Sequence, residues 1–260
     1  MIKFSIITCT YNSKKYIENN IKSVSLQNFV DFEHIFIDSF STDGTVEIIK
    51  DYKNKFSEKV KFFQVEKKGI SNAMNEGIKH ASGEYIIHLH SDDSFFDNDV
   101  LVDVNSFLAN GHYDWIYGKI NVIEESGKSI GTFPNKKIYQ GGSSSWFGKK
   151  ILNYYNYIPH QAAFIKKGIF QKFGYFDEKL SSAMDPDFWF RIKDETNWSF
   201  FDRIISNYCI HSGSESANVA NRKKTIDNKK EVRSRYLNSF EKVLATVIDY
   251  LVELKNSNYR

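Results

Sequence analysis

Residues 85–93, YIIHLHSDD, form a short apolar run that ends in two adjacent carboxylates. An apolar run of this length is typical of a buried strand. In an open α/β sheet, ligands bind in the crevice outside the carboxyl ends of the strands. The segment therefore predicts a strand that delivers Asp92 and Asp93 to a ligand-binding edge.

The two carboxylates permit two interpretations. Magnesium or manganese favours such hard oxygen donors, and it commonly takes only one or two protein carboxylates plus substrate phosphates. Alternatively, Ser91 or Asp92 caps a following helix at a solvated strand end. This motif alone leaves both interpretations open.

The bulk composition indicates a folded protein with a substantial core. The 260 residues are 41% hydrophobic and 26% charged, which excludes a disordered chain. No apolar run is long enough for a transmembrane helix, and the N-terminus lacks the features of a signal peptide. Cys9 and Cys209 form no disulfide framework, so we expect a cytoplasmic protein.

The charge is too small, at +3, to indicate a nucleic-acid partner, and no RNA-binding signature occurs. Basic residues nevertheless cluster near the C-terminus: Arg222, Lys223, Lys224, Lys229, Lys230, Arg233 and Arg235. A solvated helix face is the favoured interpretation. The alternative is peripheral contact with an anionic membrane surface.

The first half alternates strand and helix regularly. Strands are predicted at 3–8, 33–38, 60–64 and 85–89, and helices at 14–26, 46–52, 70–81 and 100–108. This alternation predicts an α/β fold with βαβ units and a mostly parallel sheet flanked by helices.

The second half is irregular. Strands are predicted at 115–122, 129–133, 199–201 and 204–210, and helices near 167–173, at 185–193 and at 222–254. No repeat or linker separates two cores, so we predict one domain over residues 1–215 and a C-terminal helical extension over 216–260.

Polar residues also end the first two predicted strands. They are Thr8, Thr10, Tyr11 and Asn12 on the first and Asp38 on the second. Asp38 could accept hydrogen bonds from a ribose hydroxyl or a base N–H. Three polar strand ends on one edge are hard to explain as packing, so they predict a nucleotide pocket.

Two common phosphate-binding motifs are absent from the sequence. Neither Gly-x-Gly-x-x-Gly after the first strand nor a phosphate-loop motif occurs, which argues against hydride-transfer enzymes and phosphate-loop hydrolases. A bound diphosphate would instead need a metal ion on Asp92 and Asp93.

A series of short motifs runs through the chain in a fixed order. They are SIITCTYN at 5–12, ID at 37–38 with STDGT at 41–45, KGISNAMNEG at 68–77, GEYI at 83–86, SDD at 91–93, PHQ at 159–161, GYFD at 174–177 and DPDFWFR at 185–191. Together they resemble the family-2 glycosyltransferases with the GT-A fold, in the branch acting in bacterial O-antigen, capsule and exopolysaccharide assembly. The resemblance covers about residues 3–212.

The resemblance implies that the two halves of the domain bind different substrates. Residues 1–110 would form the nucleotide-sugar half and 111–215 the acceptor half. Asp93 would bind a divalent Mn²⁺ or Mg²⁺ ion directly, Asp92 would reach ribose or metal, and His211 would approach the diphosphate or metal. Asp38 would belong to the nucleoside pocket. Many members carry a second acidic residue where this chain has Ser39, which leaves the nucleobase open.

The resemblance also implies that Asp185 is the catalytic base. Its position before Pro186 predicts a helix N-cap as well, and both roles can hold together. Gly69, Asn75 and His160 would line the nucleotide-sugar site. Asp187, one turn into the same helix, would support the site or form a salt bridge. Trp146, Tyr154 and Tyr155 could present aromatic faces to an acceptor sugar or pack in the core.

The predicted function is an inverting, metal-dependent transfer of a sugar from a nucleoside-diphosphate sugar to a glycan hydroxyl. The resemblance implies an acceptor that is lipid-linked, at the inner face of the cell membrane. One alternative is a sugar nucleotidyltransferase, but residues 11–15 supply no glycine-rich loop. Another is a non-catalytic sugar-binding module, which has no need for a base beside a metal site.

Overall fold

The computed structural model describes residues 2–211 and 222–257. Its first half contains β1 (Phe4–Thr10), α1 (Lys14–Ser25), β2 (Phe32–Asp38), α2 (Thr45–Lys55), β3 (Val60–Gln64), α3 (Ile70–His80), β4 (Tyr85–His88), β5 (Ser94–Phe95) and α4 (Val100–Ala109). These bounds match the predicted alternation of strand and helix.

The second half contains β6 (Trp115–Glu124), β7 (Ser129–Phe133), α5 (Trp146–Leu152), β8 (Ala163–Lys166), α6 (Lys167–Phe173), α7 (Met184–Ile192), β9 (Trp198–Ile210), α8 (Arg222–Tyr236) and α9 (Ser239–Ser257). Short 3-10 turns lie at Lys137–Tyr139 and His160–Ala162. Residues 199–210, predicted as two strands, form the single strand β9, whose pairing with β6 shifts register instead of breaking.

The strands form one sheet in the order β3-β2-β1-β4-β8-β6-β9-β5, with β7 paired to β6. β1 to β4 are parallel, as the βαβ pattern predicts. β8 runs antiparallel to β4 and β6, which makes the whole sheet mixed. An antiparallel strand pair needs no crossover helix. The alternation of strands and helices in the sequence therefore could not predict the antiparallel pairing of β8.

The central strands β1 and β2 are buried along their whole length, as expected for a sheet with helices on both faces. Helix α3 approaches β1 closely at Gly77. A Cβ atom added there would lie 2.3 Å from the Cγ2 atom of Ile7. The tight packing fixes the strand ends that carry the site.

The predicted N-cap role of Asp185 is wrong. Helix α7 begins at Met184, its N-cap is Ala183 with a left-handed φ of 63°, and Asp185 lies in the first turn. Asp185 therefore follows the N-cap position, and its carboxylate accepts a hydrogen bond from Asn156.

The C-terminal segment folds as two helices instead of one. Leu237 is buried, and Asn238 and Glu241 exchange hydrogen bonds between side chain and backbone of 2.9 and 3.2 Å, a reciprocal cap that starts α9. No described helix is long and apolar enough to cross a membrane. The predicted boundary at 215/216 falls in residues 212–221, outside the described residues.

Candidate active site

The carboxyl ends of β1, β2 and β4 meet at one edge of the sheet. The register pairs Thr10 with Asp38 and Ile7 with His88, so the residues after these positions lie side by side. The predicted crevice is therefore present, bordered by the segments that follow the three strands.

Asp38 is fully buried at this edge and organises the loop after β2. It accepts hydrogen bonds from the Thr10 hydroxyl (2.9 Å), the backbone N–H and hydroxyl of Ser41, and the Gln64 amide (3.2 Å). A carboxylate has about four acceptor positions. Contact between Asp38 and a nucleoside would thus displace an internal donor.

Two residues that were predicted to contact the nucleotide sugar, Thr8 and Asn75, lie beneath the crevice instead of in it. Thr8 is fully buried and donates its hydroxyl to the Leu89 carbonyl at 2.7 Å. Asn75 is 2% exposed and is bonded to the backbone of Phe176 and the carboxylate of Glu178. This placement disagrees with the expectation that Thr8 and Asn75 contact the donor.

Other predicted contacts lie on the rim. The Tyr11 ring is half exposed, with the Lys67 ammonium 3.5 Å from its centroid. Asn12 adopts a left-handed φ of 51° and accepts a hydrogen bond from the Thr42 backbone at 2.9 Å. Gly69 precedes α3 with a φ of 98° and open space on its side-chain position.

Asp92 and His211 meet across the crevice. The Nε2 atom of His211 lies 3.0 Å from Oδ2 of Asp92, and the Asp92 side chain is 23% exposed. Tyr16 stacks on the His211 ring with centroids 4.4 Å apart. The end of β9 thus supplies a second polar group beside the carboxylate that follows β4.

Asp93 points away from the crevice. Its backbone N–H bonds to the His90 carbonyl in a turn, its side chain is 2% exposed, and one carboxylate oxygen accepts a hydrogen bond from the Cys209 backbone at 3.3 Å. Burial, and then the neighbouring Asp92 carboxylate, raise the pKa of Asp93 well above its usual range. In this geometry Asp92, and not Asp93, is the carboxylate exposed beside His211; the ligand role of Asp93 stays a prediction.

The Asp92–His211 pair could supply two of the ligands of a metal ion. Among residues 2–211 and 222–257, no group of three or more His, Cys, Asp or Glu side chains is arranged to hold an ion alone. A carboxylate and an imidazole fit an ion that takes its remaining ligands from substrate phosphates and water, as Mg²⁺-type sites commonly do. The residues therefore fit an ion shared with a nucleoside diphosphate.

Asp185 lies at the end of a polar chain that crosses the site. Its Oδ2 atom accepts a hydrogen bond from the Asn156 amide at 2.8 Å, and His160 Nδ1 is 3.8 Å away. The Nε2 atoms of His160 and His90 are 2.9 Å apart. Burial, and then His160, lower the pKa of His90 to about 4. Strand β4 is thereby linked to the predicted base.

Asp187 faces the other way, into a buried ionic cluster. It is 2% exposed and contacts Arg191 (3.2 Å), Arg235 (3.0 Å) and the Tyr236 hydroxyl (3.0 Å). This cluster attaches α8 to the back of α7. Of the two roles predicted for Asp187, the salt bridge is confirmed, because its carboxylate pairs with Arg191 and Arg235.

Sequence reasoning did not single out His90 or Asn156. His88 is the last residue of β4, and His90 lies two positions beyond it; a strand continued to His90 would place both on one face, and His90 contacts His160. Strand alternation could have indicated His90 as a neighbour of the site. No local signal marks Asn156, which a loop brings to Asp185.

The comparisons with known proteins agree with this arrangement. The profile of the family described as "Glycosyl transferase family 2" matches residues 5–172, more than half of the chain. The chain belongs to glycosyl transferase family 2. Membership of this family favours the glycosyltransferase prediction over the nucleotidyltransferase and binding-module alternatives.

One curated relative is the poly(ribitol-phosphate) beta-N-acetylglucosaminyltransferase TarS of Staphylococcus aureus. It is 34% identical over 129 residues, which is 49% of this glycosyltransferase and 22% of TarS. The aligned part thus spans less than a quarter of that relative's length.

Solved structures support the GT-A fold. TarS 1–349 from S. aureus in complex with UDP-GlcNAc superposes with a TM-score of 0.72 and 24% identity, over 88% of this chain and 65% of that chain. The mannosyltransferase PcManGT of Pyrobaculum calidifontis, solved with GDP-Man and Mn²⁺, gives 0.68 and 16%, over 90% and 64%. The predicted fold class is confirmed.

Proposed function

We propose that this glycosyltransferase moves one sugar from a nucleoside-diphosphate sugar to a glycan hydroxyl by a single inverting displacement. The observation that carries the proposal is the position of Asp185. Its carboxylate is held by Asn156 and placed near His160, on the crevice where the diphosphate would lie. A single displacement needs one base and no protein nucleophile.

In this proposal Asp185 takes the proton from the acceptor hydroxyl as that oxygen attacks the anomeric carbon. General-base help of this kind contributes typically about 10²–10⁴ in rate. The Asn156 amide fixes one carboxylate oxygen, and the His90–His160 contact fixes the neighbouring ring. These neighbours orient the base before the acceptor arrives.

Asp92 and His211 would hold a divalent ion, and Asp93 would brace the turn beneath them. When bound, such an ion offsets the charge that develops on the departing diphosphate. An imidazole among the donors suits Mn²⁺ better than Mg²⁺, which prefers oxygen ligands. The Mn²⁺ named with the P. calidifontis neighbour supports this choice.

The donor and acceptor are proposed from the neighbours' names. TarS is described with UDP-GlcNAc and PcManGT with GDP-Man, so the nucleobase remains open between uracil and guanine. Ser39 replaces an acidic residue that many members use near the base. TarS is named for a surface polymer, poly(ribitol-phosphate), which supports a role in bacterial surface polysaccharide synthesis, including O-antigen-type glycans, at the cytoplasmic side of the membrane.

A lipid-linked acceptor would bring the enzyme to an anionic membrane surface. Two features of the C-terminal helices support such contact. Lys223 and Lys224 are exposed at the start of α8, and each basic residue near an anionic surface contributes about 1 kcal/mol. Phe240, Val243 and Val247 are exposed on α9, as in helices that lie in the interface.

Turnover of a panel of nucleotide sugars tests the proposal. The wild type should release nucleoside diphosphate from at least one donor, lose this activity in EDTA and regain it with Mn²⁺. Undiminished turnover in EDTA would contradict the metal-dependent mechanism. Retention of the anomeric configuration in the product would contradict a single displacement.

A further inference from the structure

A small cavity lies between the loop after α5, the start of α7, and α8. Its volume is about 130 Å³, and its walls include Tyr154, Tyr155, Asn156, Phe190 and Lys229. Small-molecule sites usually measure about 300–1,000 Å³. The cavity therefore suits one sugar unit of a longer acceptor better than a complete ligand.

The cavity adjoins the proposed base. Asn156 lines it and donates the hydrogen bond that holds Asp185. Ala183 and Pro186, on either side of the Met184–Asp185 pair, line it too. A sugar in the cavity would consequently lie close to Asp185, the group that accepts the hydroxyl proton.

The walls combine partly exposed aromatic rings with two cationic side chains, Lys229 and Arg233. Tyr154, Tyr155 and Phe190 are each of intermediate exposure, and aromatic walls with a few polar groups are typical of ligand sites. Lys229 is exposed and makes no ion pair within the described residues. An uncompensated ammonium at the mouth of a sugar-sized cavity favours an anionic occupant.

The α8 wall is held in place before any ligand binds. Asn228 is 8% exposed and donates hydrogen bonds to Ser182. Val232 is 1% exposed in the core. The Arg235 guanidinium contacts Asp187 at 3.0 Å. Lys229 follows Asn228 directly, so its backbone position is fixed relative to the cavity.

We propose that this cavity binds the acceptor's terminal sugar unit and that Lys229 selects acceptors carrying a negative charge, either a phosphate or a carboxylate. The proposal rests on the proposed function, because it takes Asp185 as the base. It identifies a specificity residue on the C-terminal helix, outside the matched family region at 5–172.

The test compares Lys229→Gln with Lys230→Gln. Both lysines are exposed neighbours on α8, but only Lys229 lines the cavity. The probes are glucose, glucose 6-phosphate and glucuronic acid, titrated into the full chain and followed by NMR chemical shifts of residues 154–156. We expect the wild type to bind one or both anionic probes more tightly than glucose, and the two anions show whether phosphate or carboxylate is preferred.

Lys229→Gln should weaken binding of the preferred anion on the order of fivefold, and Lys230→Gln should leave it unchanged. Equal losses in both variants would overturn the proposal, since the charge would then act as a diffuse basic surface. Equal affinity for glucose and both anions would overturn it as well. Hydrolysis of nucleotide sugars by the wild type, without acceptor, is measured in parallel. If the wild type hydrolyses none of them, the proposed function is contradicted, whereas the anion site is judged by the binding data alone.

Discussion

The Nε2 atom of His211 lies 3.0 Å from Oδ2 of Asp92, although 119 positions separate the two residues. Asp92 follows β4, in the parallel half of the sheet, and His211 follows β9, in the mixed half. The contact therefore joins the two halves at the proposed diphosphate site.

This contact predicts different effects for the two adjacent aspartates. Asp92→Asn should weaken Mn²⁺ binding in the presence of UDP or GDP, because it removes the carboxylate that faces the crevice. Asp93→Asn should retain Mn²⁺ binding, because its side chain is 2% exposed and turned toward Cys209. Electron paramagnetic resonance of free and bound Mn²⁺ measures both. The opposite order of effects would return the ligand role to Asp93.

The ionic cluster around Asp187 predicts a stability difference. Asp187→Ala should lower the free energy of unfolding by about 1–3 kcal/mol, because it removes the buried carboxylate that Arg191 and Arg235 share, while Arg235 keeps its pair with Asp177. Glu231→Ala is the matched control. It removes an exposed partner of the same Arg235, and exposed pairs contribute about 1 kcal/mol or less. Urea unfolding of both variants checks this; equal losses would show that the cluster does not hold α8.

His34 predicts a pH dependence of stability. Burial lowers the pKa of its imidazole to about 3, below the about 6.5 of an unfolded chain. Between these values the unfolded chain binds more protons, so stability falls as pH falls from about 6.5 toward 3. The free energy of unfolding should therefore fall less steeply in His34→Gln than in wild type, by about 2 kcal/mol between pH 7 and pH 5. An unchanged pH slope of the unfolding free energy would contradict a neutral buried imidazole.

The parallel half of the fold could be predicted from sequence because each strand is followed by an amphipathic helix. The α8–α9 break was missed because apolar spacing continues through Leu237, although Asn238 and Glu241 carry a readable cap signal. The prediction that Asp185 is the N-cap failed because the N-cap is Ala183 in a left-handed conformation. Alanine rarely adopts this conformation, so the sequence does not indicate it.

The sequence predicted which segments form the site, but it predicted less well which side chains of those segments face the crevice. The strand ends identified the crevice, but adjacent side chains such as Asp92 and Asp93 diverge according to a turn that sequence does not specify. Thr8 lies on a strand buried on both faces, where no alternation shows which side chains reach a ligand. Asn156 reaches Asp185 through tertiary packing alone.

The most direct test of the central claim is the turnover of Asp185→Asn with a donor that the wild type uses. The claim predicts a fall of at least about 10², with donor affinity and melting temperature close to wild type, because asparagine keeps an acceptor for the Asn156 amide and Asp185 does not cap α7. Turnover close to wild type in this variant would contradict the assignment of Asp185 as the base.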